Sequence, residues 1–344
     1  MQKAEEKGME YRVLGKTGLR VSAVGFGGIP IQRLDAPRTR VLMEALAAHG
    51  VNYIDTARGY TVSEEFLGQA LQGGLREKFI LASKSMARTY QAMAADIETS
   101  LRNLRTDYIE VYQMHNLKPE EFGLAFSPDG AAAAIQDAIR AGKVGHMGAT
   151  AHSAAAFEKL LGYPQVEAIM FPYNIVESQG EALIARAAQQ NVGFIAMKPM
   201  AGGNLTDGTL ALRYILQNPG VTLAIPGMAE VPEVEENARA AEALSPLTQA
   251  EQEKIAVIRK ELSGNFCRRC GYCAPCTVGI DIPSCFLFEG YLKRYDLAQW
   301  AKERYSGMKV KASACIGCGK CEARCPYELP IREKLKAVAA AFEA

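Results

Sequence analysis

The chain has 344 residues, with 39 Lys and Arg against 38 Asp and Glu and a formal net charge of +1. Such a balance gives no basic field for nucleic acid or anionic lipid, and no apolar run is long enough to span a bilayer. The polar stretch 1–9 has no signal-peptide apolar core, which predicts a cytoplasmic protein whose nine cysteines stay reduced and available to metal.

Residues 10–21 predict a short hairpin in which Tyr11-Arg12-Val13-Leu14 and Leu19-Arg20-Val21 flank a Gly15-Lys16-Thr17-Gly18 turn. A strand over 24–28 then opens a regular alternation. Helical spacing is found at 38–49, 63–72, 91–103, 130–141, 153–161, 179–189, 208–217 and 231–243, the first with Val41, Leu42, Ala45 and Leu46 on one face. Short apolar strands lie between them at 53–56, 79–82, 108–112, 144–147, 168–171, 193–197 and 222–225. Eight strands, each followed by a helix, are what a closed (β/α)8 TIM barrel requires. An open doubly wound sheet is the alternative, but Gly25-Phe26-Gly27-Gly28 lacks the glycine spacing of a dinucleotide fingerprint. Thr248 with Glu251 predicts a capping box opening a helix over 247–262, with Gly264 at its end. The expected organisation is a flexible N-terminus over 1–10, an α/β barrel over 11–262 and a small α-helical, cysteine-rich domain over 263–344.

Polar groups at the C-terminal ends of barrel strands are candidates for chemistry. Asp55, Lys84 and His115 end three successive strands, and Tyr60 lies in the loop after the first of these. A carbonyl reduced by hydride develops negative charge on oxygen and needs a proton. A phenol of pKa about 10 is a poor acid at neutral pH, and a nearby ammonium lowers that value. Asp55 would hold Lys84, and His115 could donate to the carbonyl oxygen. Taken singly, each residue is more often a cap, a packing group or a solvated charge. Their order along successive strand ends is what raises the catalytic reading. Of the other histidines, His49 reads as a helix cap, His146 as a satisfied core residue and His152 as a bystander near the strand end.

The pattern resembles the aldo/keto reductase superfamily. The residues that carry it are Leu14-Gly15-Lys16-Thr17-Gly18-Leu19, Asn52-Tyr53-Ile54-Asp55-Thr56-Ala57 with Tyr60, Lys84, Asp107-Tyr108-Ile109 with Gln113 and His115, Gly142-Lys143-Val144 with Gly148, Pro172-Tyr173-Asn174, Ile225-Pro226-Gly227 and Glu236-Asn237. The resemblance covers roughly 11–245. It implies a barrel that binds a nicotinamide dinucleotide without a Rossmann motif, and a catalytic tetrad of Asp55, Tyr60, Lys84 and His115 with Tyr60 as proton donor. It also implies dinucleotide contacts from Gly27, Gly28, Thr150, Asn174, Lys198, Pro199, Pro226, Gly227, Glu236 and Asn237. This chain has Thr150-Ala151 where the family usually has Ser-Asn, and Met170 in place of a glutamine. Met228-Ala229-Glu230 stands where a basic residue often meets the adenosine 2′-phosphate, so NADPH and NADH both stay open.

Eight cysteines form two runs, Cys267-x2-Cys270-x2-Cys273-x2-Cys276 and Cys315-x2-Cys318-x2-Cys321-x3-Cys325-Pro326. The second has the spacing of bacterial iron–sulfur proteins, and zinc is the alternative for any Cys-x2-Cys pair. The module resembles two-cluster bacterial ferredoxins, so the fold class is a barrel followed by a ferredoxin-like iron–sulfur domain. The resemblance implies one [4Fe-4S] cluster on Cys267, Cys270, Cys273 and Cys325 and another on Cys315, Cys318, Cys321 and Cys276. The first run departs at Cys276-Thr277, with two residues where three are usual and no proline, which leaves a single-cluster protein open. Gly279-Ile280-Asp281-Ile282-Pro283 and Glu328-Leu329-Pro330-Ile331 end the runs alike and suggest a duplication, with a helical stretch over 286–306 between them. Cys285 reads as a buried apolar residue.

The expected activity is NAD(P)H-dependent reduction of a small aldehyde or ketone, with clusters exchanging electrons with a ferredoxin or flavodoxin-like carrier. Neither nucleic acid nor a membrane is an expected partner. Hydride carries two electrons together and a cluster carries one, so direct coupling calls for a flavin, and no flavin motif is evident. The alternative is an electron-transfer or redox-sensing protein whose barrel binds a nucleotide without reducing a carbonyl.

Overall fold

The computed structural model describes residues 8–242, 244–262, 265–269 and 271–343. Residues 1–7 of the expected flexible N-terminus, Gly264 and Cys270 lie outside the described residues. Contacts divide the chain into two units. The first holds 1–174, 178–200 and 207–247; the second holds 175–177, 201–206 and 248–344. The division falls before the helix over 249–262 rather than after it.

The first unit opens with β1 (Tyr11–Val13) and β2 (Arg20–Ser22), paired antiparallel around a short 3-10 turn. Glu10 belongs to this hairpin, its carbonyl accepting from the Ala23 N–H at 2.8 Å. Eight parallel strands follow: β3 (Phe26–Gly27), β4 (Tyr53–Asp55), β5 (Ile80–Ser85), β6 (Ile109–Met114), β7 (Val144–Thr150), β8 (Ala168–Pro172), β9 (Gly193–Met197) and β10 (Leu223–Ala224). Each pairs with the next in chain order. Parallel bridges Val24–Ala224 and Gly27–Gly227 join the last strand to the first, so the sheet closes on itself. The chain crosses between strands through α1 (Ala36–Ala48), α2 (Ser63–Ala70), α3 (Tyr90–Leu104), α4 (Phe122–Ala125), α5 (Ala131–Arg140), α6 (Ala154–Leu160), α7 (Glu181–Gln189) and α8 (Gly208–Leu216), and α9 (Val231–Glu242) follows β10. This is the expected TIM barrel.

The first helix differs in its inner face. Thr39, Leu42, Met43 and Leu46 are buried in α1, whereas Val41 is 54% exposed. At about 100° per residue the stripe through 39, 42, 43 and 46 leaves Val41 on the far side.

Strand residues two apart face the same way. Tyr53, Ala82, Val111, Ala168, Met170, Ile195 and Leu223 form one buried apolar cluster inside the barrel, and the hairpin adds Leu14 and Val21 to it. Two residues further along their strands come Asp55, Lys84 and Gln113. The same parity therefore sets a polar tier directly on this apolar filling. The register aligns Asp55 with Ala82 and Lys84 with Gln113.

In the second unit, α10 (Gln249–Leu262) starts with the expected capping box. The Glu251 carboxylate accepts from the Thr248 N–H at 2.8 Å, and the Thr248 hydroxyl accepts from the Glu251 N–H at 3.3 Å. Then come α11 (Ile282–Arg294), α12 (Ala298–Ser306), α13 (Lys320–Ala323) and α14 (Ile331–Phe342). The stretch expected to be helical over 286–306 is two helices, broken where Asp296 takes a left-handed φ of 51°. Ile280, Ile282, Phe286, Tyr305, Leu329, Ile331, Leu335 and Val338 form this unit's core, with Cys285 fully buried among them. Burial pushes the Cys285 thiol up to about 12, the behaviour of a packing residue. Among the described residues no helix is long and apolar enough to cross a membrane.

Gly15 shows how tightly the hairpin is fitted. Its φ is +51°, and a Cβ there would sit 2.2 Å from the Gly193 nitrogen at the start of β9. Gly15→Ala combines a left-handed backbone with a clash against main chain, so it should destabilise the protein by about 1–3 kcal/mol. Thermal unfolding checks this; a midpoint equal to the wild type's would contradict the fit.

Candidate functional site

Three side chains of the polar tier are locked together. Lys84 and Asp55 are 1% and 2% exposed and form a salt bridge through Lys84 Nζ and Asp55 Oδ1. Lys84 Nζ also donates to the Thr56 carbonyl at 2.8 Å, and Gln113 Nε2 donates to Asp55 Oδ2 at 3.0 Å. Burial pushes Asp55 above and Lys84 below their ordinary values, while their mutual attraction opposes both shifts. Gln113 belongs to the motif read from the sequence, yet its tie to Asp55 follows only from strand register.

Tyr60 is carried by a short, pinned loop. The Arg58 N–H donates to the Lys84 carbonyl at 3.0 Å, the Tyr60 N–H to the Ala57 carbonyl at 3.0 Å and the Ser63 N–H to the Tyr60 carbonyl at 2.9 Å. The half-buried Tyr60 ring lies with Lys84 Nζ 4.7 Å from its centroid. The His115 ring meets it edge-on at 6.0 Å between centroids. All four expected catalytic residues therefore converge.

His115 is held by its backbone, which donates to the Ser85 carbonyl and accepts from the Arg88 guanidinium, both at 2.8 Å. Burial, then the positive charges of Lys84, Arg88 and Lys198, hold its pKa well below the usual histidine range. A neutral imidazole has one N–H. Among the described residues His115 Nδ1 is buried with no hydrogen-bond partner, and a proton on Nε2 would leave one donor for a substrate oxygen. Arg88 gives no signal in the sequence, because its main acceptors here are backbone carbonyls.

A second buried carboxylate lies nearby. Glu64 accepts from Arg58 at 2.5 Å, Ser83 at 2.6 Å and Ser100 at 2.7 Å, tying α2, α3 and β5 together. All its strong donors are internal, which reads as scaffold.

The expected dinucleotide residues are spread along the strand ends. Asn174 is fully buried, and its amide donates to the Lys198 carbonyl at 2.9 Å. Lys198 takes a left-handed φ of 58° just after β9, next to buried Pro199. The Thr150 hydroxyl is buried and accepts from the Asn116 N–H at 2.7 Å, leaving its own hydrogen to donate. A Cβ on Gly27 would lie 2.9 Å from the Ile225 carbonyl, and one on Gly28 would lie 2.7 Å from the Asp55 carbonyl. Close packing against the chain after β10 and against β4 therefore accounts for both glycines. Pro226 is buried and Gly227 exposed after β10, and Glu236 and Asn237 lie on α9 beside Gly208 at the start of α8. Of the remaining histidines, His49 is the C-cap of α1. His146 is a partly exposed partner of Glu167 at 2.8 Å rather than a core residue, and His152 contacts the Asn116 side chain at 2.8 Å.

The second unit repeats its backbone. Arg269 and Gly271 have φ of 56° and 85°; Gly317 and Gly319, at the same offsets in the second run, have 69° and 73°. Gly279 and Glu328 are likewise left-handed, each followed by a buried aliphatic residue and then by the N-cap residue of α11 or α14. The duplication read from the sequence is a repeated conformation. Such turns let cysteines with two residues between them face one side.

Cys276, Cys315, Cys318 and Cys321 line a single cavity. This donor set fits a thiolate-held cluster, and it joins the fourth cysteine of one run to three of the other. Cys267, Cys273 and Cys325 pack against the core of the same unit. Thr277, at the irregular end of the first run, has its hydroxyl 3.4 Å from Cys318 Sγ, where a proline could offer no such contact.

Comparison with known proteins agrees with these features. The model of the aldo/keto reductase family matches residues 23–209, and that of a 4Fe-4S dicluster domain matches residues 266–330. L-galactose dehydrogenase of Arabidopsis thaliana is 28% identical over 291 residues, 70% of this chain and 90% of that protein. The NADH-specific methylglyoxal reductase of Escherichia coli is 27% identical over 234 residues, 59% of this chain and 70% of its own length. The holo form of aldo-keto reductase AKR11C1 from Bacillus halodurans superposes with a TM-score of 0.65 at 26% identity, covering 73% of this chain and 96% of that one.

The His115 shift has a testable sign. In the unfolded chain a histidine takes up its proton as pH falls through about 6.5. The folded state resists that proton, so the neutral imidazole contributes stability above this pH and loses it below. Comparing wild type with His115→Gln by denaturant unfolding at several pH values should show a gap that narrows as pH falls below about 6.5. A gap that widens would contradict a neutral His115.

Proposed function

Because the chain belongs to the aldo/keto reductase family and carries a C-terminal 4Fe-4S dicluster domain, we propose that its barrel reduces a small aldehyde or ketone with a nicotinamide dinucleotide, and that its cysteine runs hold two iron–sulfur clusters. The observation that carries the catalytic reading is the buried Asp55–Lys84 pair with Lys84 Nζ 4.7 Å from the centre of the half-buried Tyr60 ring. Bound at the strand ends, the nicotinamide supplies the hydride. Tyr60 gives its phenolic proton to the carbonyl oxygen as negative charge develops there. The Lys84 ammonium stabilises the phenolate left behind, and Asp55 with Gln113 keeps Lys84 charged and aimed. Neutral His115 donates from Nε2 to the same oxygen and orients it.

Asn174, Lys198 and Thr150 are the groups proposed to meet the nicotinamide end, with Pro199, Pro226 and Gly227 along the strand ends and Glu236 and Asn237 toward the adenine. NADH is the favoured form. The segment expected to face a 2′-phosphate carries Glu230, and the Glu233 carboxylate already accepts from the Ala229 and Glu230 N–H groups at 2.6 and 3.1 Å. A second negative group there would be repelled. The relative named as an NADH-specific methylglyoxal reductase makes small dicarbonyls the first substrates to try.

For the clusters, the proposed ligands are Cys276, Cys315, Cys318 and Cys321 on one and Cys267, Cys270, Cys273 and Cys325 on the other. A bound 4Fe-4S core takes or gives single electrons, which makes a ferredoxin or flavodoxin-like carrier the proposed partner.

Tyr60→Phe removes the proposed acid and keeps the ring. Assayed anaerobically with NADH, methylglyoxal and a panel of small aldehydes, it should lose at least about 100-fold in kcat while NADH still binds. Wild-type turnover in this variant would remove Tyr60 from the chemistry and with it the tetrad.

A further inference from the structure

Two segments in the middle of the chain belong to the second unit although their neighbours in sequence belong to the first. Ile175–Glu177 follows Asn174 directly, and Ala201–Thr206 comes two residues after Pro199. Asn174 and Lys198 are joined by their own hydrogen bond. The two segments thus continue from the residues proposed above for the nicotinamide end, and their functional meaning rests on that reading.

Within the second unit an arginine holds each residue of the first segment. Arg259 Nε donates to the Ile175 carbonyl at 2.8 Å and Arg268 Nε to the Val176 carbonyl at 2.9 Å. Arg269 meets the Glu177 carboxylate at 3.3 Å, with the Glu177 side chain fully enclosed. Arg268 is itself 8% exposed, and its guanidinium stacks 3.9 Å from the centre of the Tyr327 ring, two residues past Cys325. The second segment is held as well. Arg294 Nε donates to the Gly202 carbonyl at 2.8 Å, and Ala201, Gly202 and Asn204 share a cavity wall with Cys267 and Arg269.

Arg268 and Arg269 are the two residues between Cys267 and Cys270. The repeat makes their identity informative. At the offset of Arg269 the second run has Gly317, the residue that suits a left-handed backbone. The first run adopts the same conformation with an arginine, against local preference, and that arginine reaches the enclosed Glu177.

We propose that Arg268 and Arg269 are positioning residues for the dinucleotide site, so that loading the first cysteine run sets nicotinamide dinucleotide affinity. With iron bound to the first run, the turn that carries Arg268 and Arg269 is fixed and both guanidiniums stay on Val176 and Glu177. The backbone that leaves Asn174 is thereby held in one place. When the run is empty, the turn and both contacts loosen together. By linkage, a dinucleotide bound at Asn174 stabilises the loaded run by the same factor. No electron needs to pass between cluster and nicotinamide for this coupling.

The test uses the full-length protein purified anaerobically. NADH dissociation constants are measured by fluorescence titration for the loaded wild type, wild type stripped with an iron chelator, Arg269→Gln, Glu177→Gln and a surface control, Lys336→Ala. Iron and sulfide are assayed in every sample. Stripped wild type and both contact variants should bind NADH about tenfold more weakly, with Lys336→Ala unchanged. NADH should slow chelation of iron from wild type but not from Glu177→Gln. If both variants keep full iron and bind NADH as wild type does, the proposal fails while the catalytic reading stands. Should Arg269→Gln lose its iron, Glu177→Gln, far in sequence from any cysteine, decides alone by the same criterion. A loaded wild type that binds neither NADH nor NADPH overturns the dinucleotide reading and this coupling together.

Discussion

Asp55 and Lys84 face each other inside the barrel with almost no access to water, and the rest of the site depends on how that pair is kept charged. Removing two ions from water costs several kcal/mol each, and their attraction offsets this only when further hydrogen bonds complete the geometry. The protein supplies two, from Gln113 to Asp55 and from Lys84 to the Thr56 carbonyl. A pair of apolar residues of similar volume would serve the fold as well or better, whereas deleting one partner typically costs about 3–5 kcal/mol. Stability alone therefore does not account for the pair. Its placement beside the Tyr60 ring fits the proposed role of Tyr60, because a buried ammonium there would favour the phenolate left by proton transfer.

The same constraint explains the division of labour around the tetrad. Apolar residues from alternate positions fill the barrel below, so the charges lie where water is scarce and Coulomb interactions are strong. A neutral His115 would orient the oxygen in the proposed reaction without adding to the positive charges of Lys84, Arg88 and Lys198. In the second unit the governing constraint is backbone conformation. Two runs of cysteine adopt matching left-handed turns, and Arg269, an arginine where the second run has Gly317, is offset by its contact with Glu177. Left-handed backbone at an ordinary residue costs of order 1–3 kcal/mol and persists where surroundings over-determine it.

Much of this is legible in the sequence because period decides it. Strand and helix periodicities predict the eight βα units, and the polar residues at strand ends fall into one tier because side chains alternate. Features set by backbone groups are not legible. Arg88, Arg259 and Arg268 donate to backbone carbonyls, which leave no mark in side-chain patterns. Gln113 shows its partner only once β4, β5 and β6 are in register. On α1 the apolar stripe in the sequence includes Val41, which adjoins Leu42 in the chain but, at about 100° per residue, lies on the far side of the helix from the buried face. The break at Asp296 carries neither glycine nor proline to announce it. The cysteine spacings are legible because covalent ligands fix them, and Thr277 acquires a role beside Cys318 only in three dimensions.

The central claim is that this chain performs two-electron chemistry at the barrel whatever its clusters do. It is tested most directly by following the label in a single anaerobic turnover with NADH deuterated at the transferring position and methylglyoxal as carbonyl. One deuterium is expected on the new carbinol carbon, in wild type and in cluster-stripped protein alike once NADH is saturating. A product free of label, or reduction that proceeds only with a reduced one-electron carrier, would contradict it.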